Sequence, residues 1–169
     1  PICSVSSGSL LPIGTTTITC SATDLATNTS TLSFDVIVED TTKPEVSFVS
    51  LTPSIVGDSS QLAITKIASD IMGVDSIIAQ ITGPSPSTDI IGTVTLSLNS
   101  GTTQSGTWSG TFTLPSKDII PDGTYTIDEI ATDTSGNSLS MNDGIITLDR
   151  TAPTTSVISI SPSFLRPTD

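Results

Sequence analysis

Pro12-Ile13-Gly14-Thr15-Thr16-Thr17-Ile18 is a run that this chain writes twice: 109 positions on, it returns as Pro121-Asp122-Gly123-Thr124-Tyr125-Thr126-Ile127. The register holds without a gap further along the chain. Ala22-Thr23-Asp24 returns as Ala131-Thr132-Asp133, and Asn28 as Asn137. Asp40-Thr41-Thr42-Lys43-Pro44 is matched by Asp149-Arg150-Thr151-Ala152-Pro153, and Pro53-Ser54 by Pro162-Ser163. A period of this length suits one whole β-sandwich module and is too long for a solenoid repeat. The expected organisation is therefore out of phase: residues 1–43 close one module, 44–152 make a complete one, and 153–169 supply the first strand of a third.

Working outward from the repeat, the fold class reads as all-β, with tandem immunoglobulin-like sandwiches. Period-two alternation marks strands at 2–5, 14–22 and 31–38, the last carrying Leu32, Phe34, Val36 and Val38 on one face. Three strands do not close a sandwich, so residues 1–43 are expected to leave apolar surface uncovered unless upstream chain or a partner completes them. In the complete module, strands are expected over 45–52, 60–68, 74–82, 89–98, 107–114, 123–131 and 138–148. Turn chemistry separates them, for example at Gly83-Pro84-Ser85-Pro86, Pro121-Asp122-Gly123 and Ser135-Gly136-Asn137. Trp108, Gly110 and Phe112 share one strand face, which points to core packing rather than to an aromatic binding platform. Tyr125, just after a turn, stands where a tyrosine corner would.

Composition narrows the function classes. Apolar residues make up 35% of the chain but aromatics only 4%, and the apolar mass is Ile, Val and Leu amid Ser and Thr. That mixture suits half-buried pleated strands. Seventeen acids against five bases give a net charge of −12, with no histidine. Phosphate-rich nucleic acid and anionic membrane surfaces are poor partners for such a chain. No apolar run reaches the length of about eighteen residues that a membrane-spanning helix needs, so no direct membrane insertion is expected of this stretch. Without histidine there is no Ser-His or Cys-His nucleophile and no zinc triad. Asp128 and Glu129 are neighbours on one strand and face opposite ways, so they cannot flank one bond. The chain reads as a non-enzyme.

Two groups of stretches carry the resemblance to known modules. Ser7 to Asp24, with Cys20 inside it, continued by Ser33-Phe34-Asp35-Val36-Ile37-Val38-Glu39-Asp40, resembles the second half of a hyalin-repeat (HYR) domain. Residues Ile67 to Ser76, Asp122 to Thr126 and Ala131 to Asn137 resemble the immunoglobulin-like repeats of prokaryotic cell-surface and surface-layer proteins. The resemblance implies an extracellular, adhesive or structural setting. The HYR pattern commonly carries a cysteine where this chain has Leu32, and an Ala-Gly-Asn turn where it has Ala26-Thr27-Asn28.

Three sets of residues are candidates for chemistry. Cys3 and Cys20 would pair in an exported chain, stabilising the module by roughly 3 kcal/mol for a loop this size; two buried free thiols are the other reading. Asn28-Thr29-Ser30 is an Asn-X-Ser/Thr sequon on a turn, either a glycosylation acceptor or an ordinary Asn turn. Fourteen of the seventeen acids are Asp, a turn former and a hard oxygen ligand. In a sandwich with this strand order, Glu39 and Asp40 of the linker meet the loop after the second strand, with Asp70 and Asp75, and the last hairpin, with Asp133 and Asn137. Either each Asp serves its own turn, or together they hold a Ca²⁺ ion that stiffens the junction. The leading functional reading is a structural array from a cell-surface protein, a surface-layer, filament or sheath component contacting other copies of itself or neighbouring modules. An adhesin stalk, a carbohydrate-binding module and a spacer in a secreted hydrolase are the alternatives.

Overall fold

The computed structural model describes residues 1–57, 60–116 and 118–156. Its eleven strands are β1 Ile2–Cys3, β2 Gly14–Thr23, β3 Thr29–Val38, β4 Glu45–Thr52, β5 Ile55–Val56, β6 Gln61–Ser69, β7 Val74–Thr82, β8 Ile90–Gly101, β9 Ser105–Thr113, β10 Gly123–Asp133 and β11 Ser138–Leu148. No helix occurs among the described residues. The fold is an all-β, immunoglobulin-like sandwich preceded by a small three-stranded sheet.

That first sheet runs β1-β2-β3, all antiparallel. Its two faces differ sharply. On one, hydroxyls form a cross-strand ladder: Thr17 Oγ1 donates to Asp35 Oδ1 at 2.6 Å, Thr19 Oγ1 meets Ser33 Oγ at 2.8 Å, and Thr23 meets Thr29 at 2.9 Å. The opposite face carries Ile18, Cys20, Leu32 and Phe34, and it is open, with Leu32 72% and Phe34 50% exposed. Cys3 and Cys20 lie directly opposite each other in the β1–β2 register and are joined as a disulfide.

The sandwich is made by eight strands in the order β4-β6-β9-β8-β7-β10-β11-β5. One strand belongs to both sheets: β8 pairs with β7 through Leu96, then with β9 from Ser97 onward. Strands that change sheet in this way make the corners of a sandwich. Alternation decides which side chains enter the core. Along β6, Leu62, Ile64, Lys66 and Ala68 point inward; along β10, Tyr125, Ile127, Glu129, Ala131 and Asp133 do. Among the described residues, the fully buried core runs from Val56 to Leu148, with Val46 and Leu51 packed against it. Trp108 is in it, 5% exposed, and the ring of Phe112 lies over Gly92, where a Cβ would stand only 2.3 Å from it.

Strand bounds differ from the sequence expectation by a few residues, and β5 escapes it altogether. The run 45–56 is split at Pro53, which cannot donate to a ladder, so β4 joins one sheet and β5 crosses to pair in parallel with β11. Residues 151–156 form no strand, and the expected third-module strand falls otherwise on 157–169, outside the described residues.

Candidate metal centre

The seam between the small sheet and the sandwich is built by turn-forming Asp residues. At the end of β10, Asp133 Oδ1 accepts from the backbone N–H groups of Ser135 and Asn137, both at 2.8 Å, while Asn137 Nδ2 donates to Asp133 Oδ2 at 2.9 Å. Asp24 and Asn28 repeat the arrangement: Asp24 Oδ1 accepts from Ala26 and Asn28, and Asn28 Nδ2 donates to Asp24 Oδ2 at 3.0 Å. Short polar side chains that bond their own backbone are what these turns need. Burial pushes the Asp133 carboxyl up, but the hydrogen bonds from Asn137, Ser135 and Gly136 outweigh it and leave the group below the usual carboxylate range. Asp24 is lowered as well, first by the Asn28 side chain.

Between β6 and β7, Asp70 Oδ1 caps the loop by accepting from Met72 N at 2.8 Å and Gly73 N at 3.0 Å. Its other oxygen, Oδ2, is buried and has no hydrogen-bond partner among the described residues. The linker enters from the opposite side. Asn137 Nδ2 donates to the Asp40 carbonyl at 3.1 Å, and Ser135 Oγ donates to Asp40 Oδ2 at 3.4 Å. Ile13, Ile37, Val38 and Glu39 line the cleft beside this contact.

The result is that Asp40, Asp70 and Asp133 each bring a carboxylate oxygen to within 4.8 Å of the other two. Asn137 joins them through its hydrogen bonds. Glu39 and Asp75 stand outside this group. Glu39 is exposed in the cleft beside Asp40 and is not among the three converging carboxylates. Asp75 is the extra residue of a β-bulge, since Thr132 pairs with Ser76 and Asp133 with Val74, and it is turned out to solvent. Asn28 is exposed at its turn, with its amide engaged by Asp24.

Chemically, three converging carboxylates suit a hard, oxygen-seeking cation. The buried Asp70 oxygen without a donor is the strongest sign, because such a group normally finds a partner. Three carboxylates leave room for water in the coordination sphere of a Ca²⁺ ion, which takes six to eight oxygens.

Two further polar groups were not singled out in the sequence. Arg150 closes the far pole: its Nε donates to Asp122 Oδ1 at 2.9 Å, Nη1 to the Pro115 carbonyl at 3.1 Å, and Nη2 to the Ile120 carbonyl. The Nε bond first, then those from the Thr151 hydroxyl and the Arg150 backbone N–H, hold the Asp122 carboxyl down at about 2. Within the core, Lys66 of β6, Glu129 of β10 and Asp143 of β11 form a buried triad. Lys66 is wholly inaccessible and Glu129 is 1% exposed. Lys66 Nζ stands 3.3 Å from Glu129 Oε2 and in direct contact with Asp143 Oδ1. Burial first, and then the neighbouring Asp143 carboxylate, pushes Glu129 up to about 8, against the opposing pull of Lys66. Inward phase was the available signal: Lys66 sits between Ile64 and Ala68, and Glu129 between Ile127 and Ala131.

The strand order and the polar caps at both poles define an immunoglobulin-like β-sandwich module. No family model matches the chain, and no curated protein matches it. Among solved structures it is similar to the fibronectin(III)-like modules of Clostridium thermocellum CbhA, with 18% identity and a TM-score of 0.40. That match covers 83% of this chain and 64% of the other, so the chain spans less than two thirds of the structure it resembles.

Proposed function

We propose that the chain is a structural segment of an extracellular, cell-surface module array, in which residues 1–43 are HYR-like and a Ca²⁺ ion stiffens the junction to the sandwich. The observation that carries this reading is the seam itself. The linker's Asp40 is latched to the β10–β11 turn by Asn137 and Ser135, and Asp70 and Asp133 converge on it. A flexible tether would show no such latch. The disulfide accords with an oxidising compartment. The chain enters the sandwich at the pole of Asp70 and Asp133 and leaves it at the pole of Asp122, which suits modules strung head to tail. The buried Trp108 offers no exposed aromatic platform for a glycan.

Thermal unfolding of the chain in excess Ca²⁺ and in chelator tests the junction. An ion that binds only the folded state adds about 2.7 kcal/mol at one hundred times its Kd, so the Ca²⁺ sample should melt several degrees higher. Asp70→Asn should remove most of that gain. Identical melts with and without the ion would discard the metal, and an absence of ordered assembly in Ca²⁺ would discard the lattice role.

A further inference from the structure

The Lys66–Glu129–Asp143 triad serves no turn, no seam and no surface, and its cost in an apolar core needs an explanation. Lys66 lies opposite Trp108 in the β6–β9 register and Phe48 in the β4–β6 register, and its Nζ stands 4.7 Å from the centre of the Phe48 ring. Neither Glu129 oxygen has a hydrogen-bond partner among the described residues, and neither does Asp143 Oδ2. Two carboxyls and one amine cannot balance their charges without an extra proton. A structural salt bridge left in this state is weak as a source of stability. A bulge, moreover, is spent on building it. Ile127 pairs with Gly144 and Asp128 with Asn142, so Asp143 is the extra residue of β11. Leu139, Met141 and Asp143 point inward before the bulge, and Ile146 and Leu148 after it.

We propose that Lys66 and Asp143 condense into an intramolecular amide bond, with Glu129 as the catalytic proton carrier. The step balances within the triad. A proton leaves the Lys66 ammonium and one is delivered to the Asp143 carboxylate, giving a neutral amine facing a neutral acid. The Nζ lone pair attacks Cγ of Asp143, and the C–N bond forms. Glu129 takes a second proton from Nζ and returns one to the departing oxygen, the C–O bond breaks, and water leaves. Ammonium and carboxylate become amide and water, nothing is oxidised or reduced, and Glu129 ends as it began. Its raised carboxyl keeps a proton at neutral pH for this exchange. The apolar walls favour the direction taken, because the product replaces two buried charges by one neutral amide and expels water from a close-packed core. Placing both reactants in contact supplies the rest.

The test is the intact mass of the full 169-residue chain after reduction of the Cys3–Cys20 bridge, with trypsin mapping. The expected result is a mass one water below that of the sequence, a peptide pair joined between Lys66 and Asp143, and no tryptic cleavage after Lys66. K66A, D143A and E129Q should each show the full mass. A wild-type chain of full mass that trypsin cuts at Lys66 would overturn the proposal outright, and needs no variant to fold. A water loss that persists in K66A would overturn it too, since it would report succinimide formation at an Asp-Gly pair such as Asp143-Gly144. A complete cross-link in E129Q would overturn the role given to Glu129.

Discussion

At the scale of single residues, the module's two poles are set by side chains that bond backbone. Tyr125 shows the economy of it: the ring is buried among the strands and its hydroxyl donates to the Pro121 carbonyl at 2.7 Å. Tyr125→Phe keeps the packing and leaves that carbonyl without its donor, so a loss of about 1 kcal/mol is expected in a denaturant titration. Asp122 makes a prediction in pH. Its folded-state value, about 2, lies below the ordinary aspartate value of 3.8, so its contribution is fully present above 3.8 and disappears as pH falls through 2. Wild-type stability should therefore decline between those two values. In Arg150→Ala the decline should be much shallower, measured as the urea midpoint against pH. An unchanged acid limb in that variant would mean that Arg150 does not set it.

At the scale of elements, alternation made most strands readable, and irregularities defeated the reading where they occurred. β6 and β10 alternate as strands with one buried face should, Leu62, Ile64 and Ala68 inward on the first and Tyr125, Ile127 and Ala131 on the second. Loops at one end of a sandwich must be neighbours, which is why Asp40, Asp70 and Asp133 can be placed together from sequence alone. Asp75 and Asp143 show what stays hidden. Each is the extra residue of a bulge, and a bulge reverses the side on which a residue falls, with no composition signal strong enough to announce it. Asp75 is thereby sent away from the seam and Asp143 into the core. Gly144 makes the second of these possible, with φ at +115°. Gly144→Val should cost about 1–3 kcal/mol in strain and misdirect Asp143, read out as a lower melting temperature and a full-mass chain. An equally stable, cross-linked variant would show the bulge to be dispensable.

At the scale of the whole molecule, two units meet at a latch rather than through a common core. The apolar face of the first sheet stays open, and the sandwich is complete without it. Few contacts hold the junction, chiefly the hydrogen bonds that Asn137 and Ser135 make with Asp40. Asn137→Ala should broaden the distance distribution from small-angle scattering while leaving the sandwich's own unfolding transition nearly in place. A distribution as narrow as wild type would assign the stiffness to the short Pro-bounded linker instead.

The parallel pairing of β5 with β11 has a mechanical consequence. Thr147 N donates to the Ser54 carbonyl and Asp149 N to that of Val56, tying the segment that follows β4 to the end of the last strand. A pull on the two ends loads those bonds together in shear, instead of unzipping them in turn. Only this small clasp, and the chain outside Lys66 and Asp143, would then lengthen under tension, because an amide between those residues short-circuits everything folded in between.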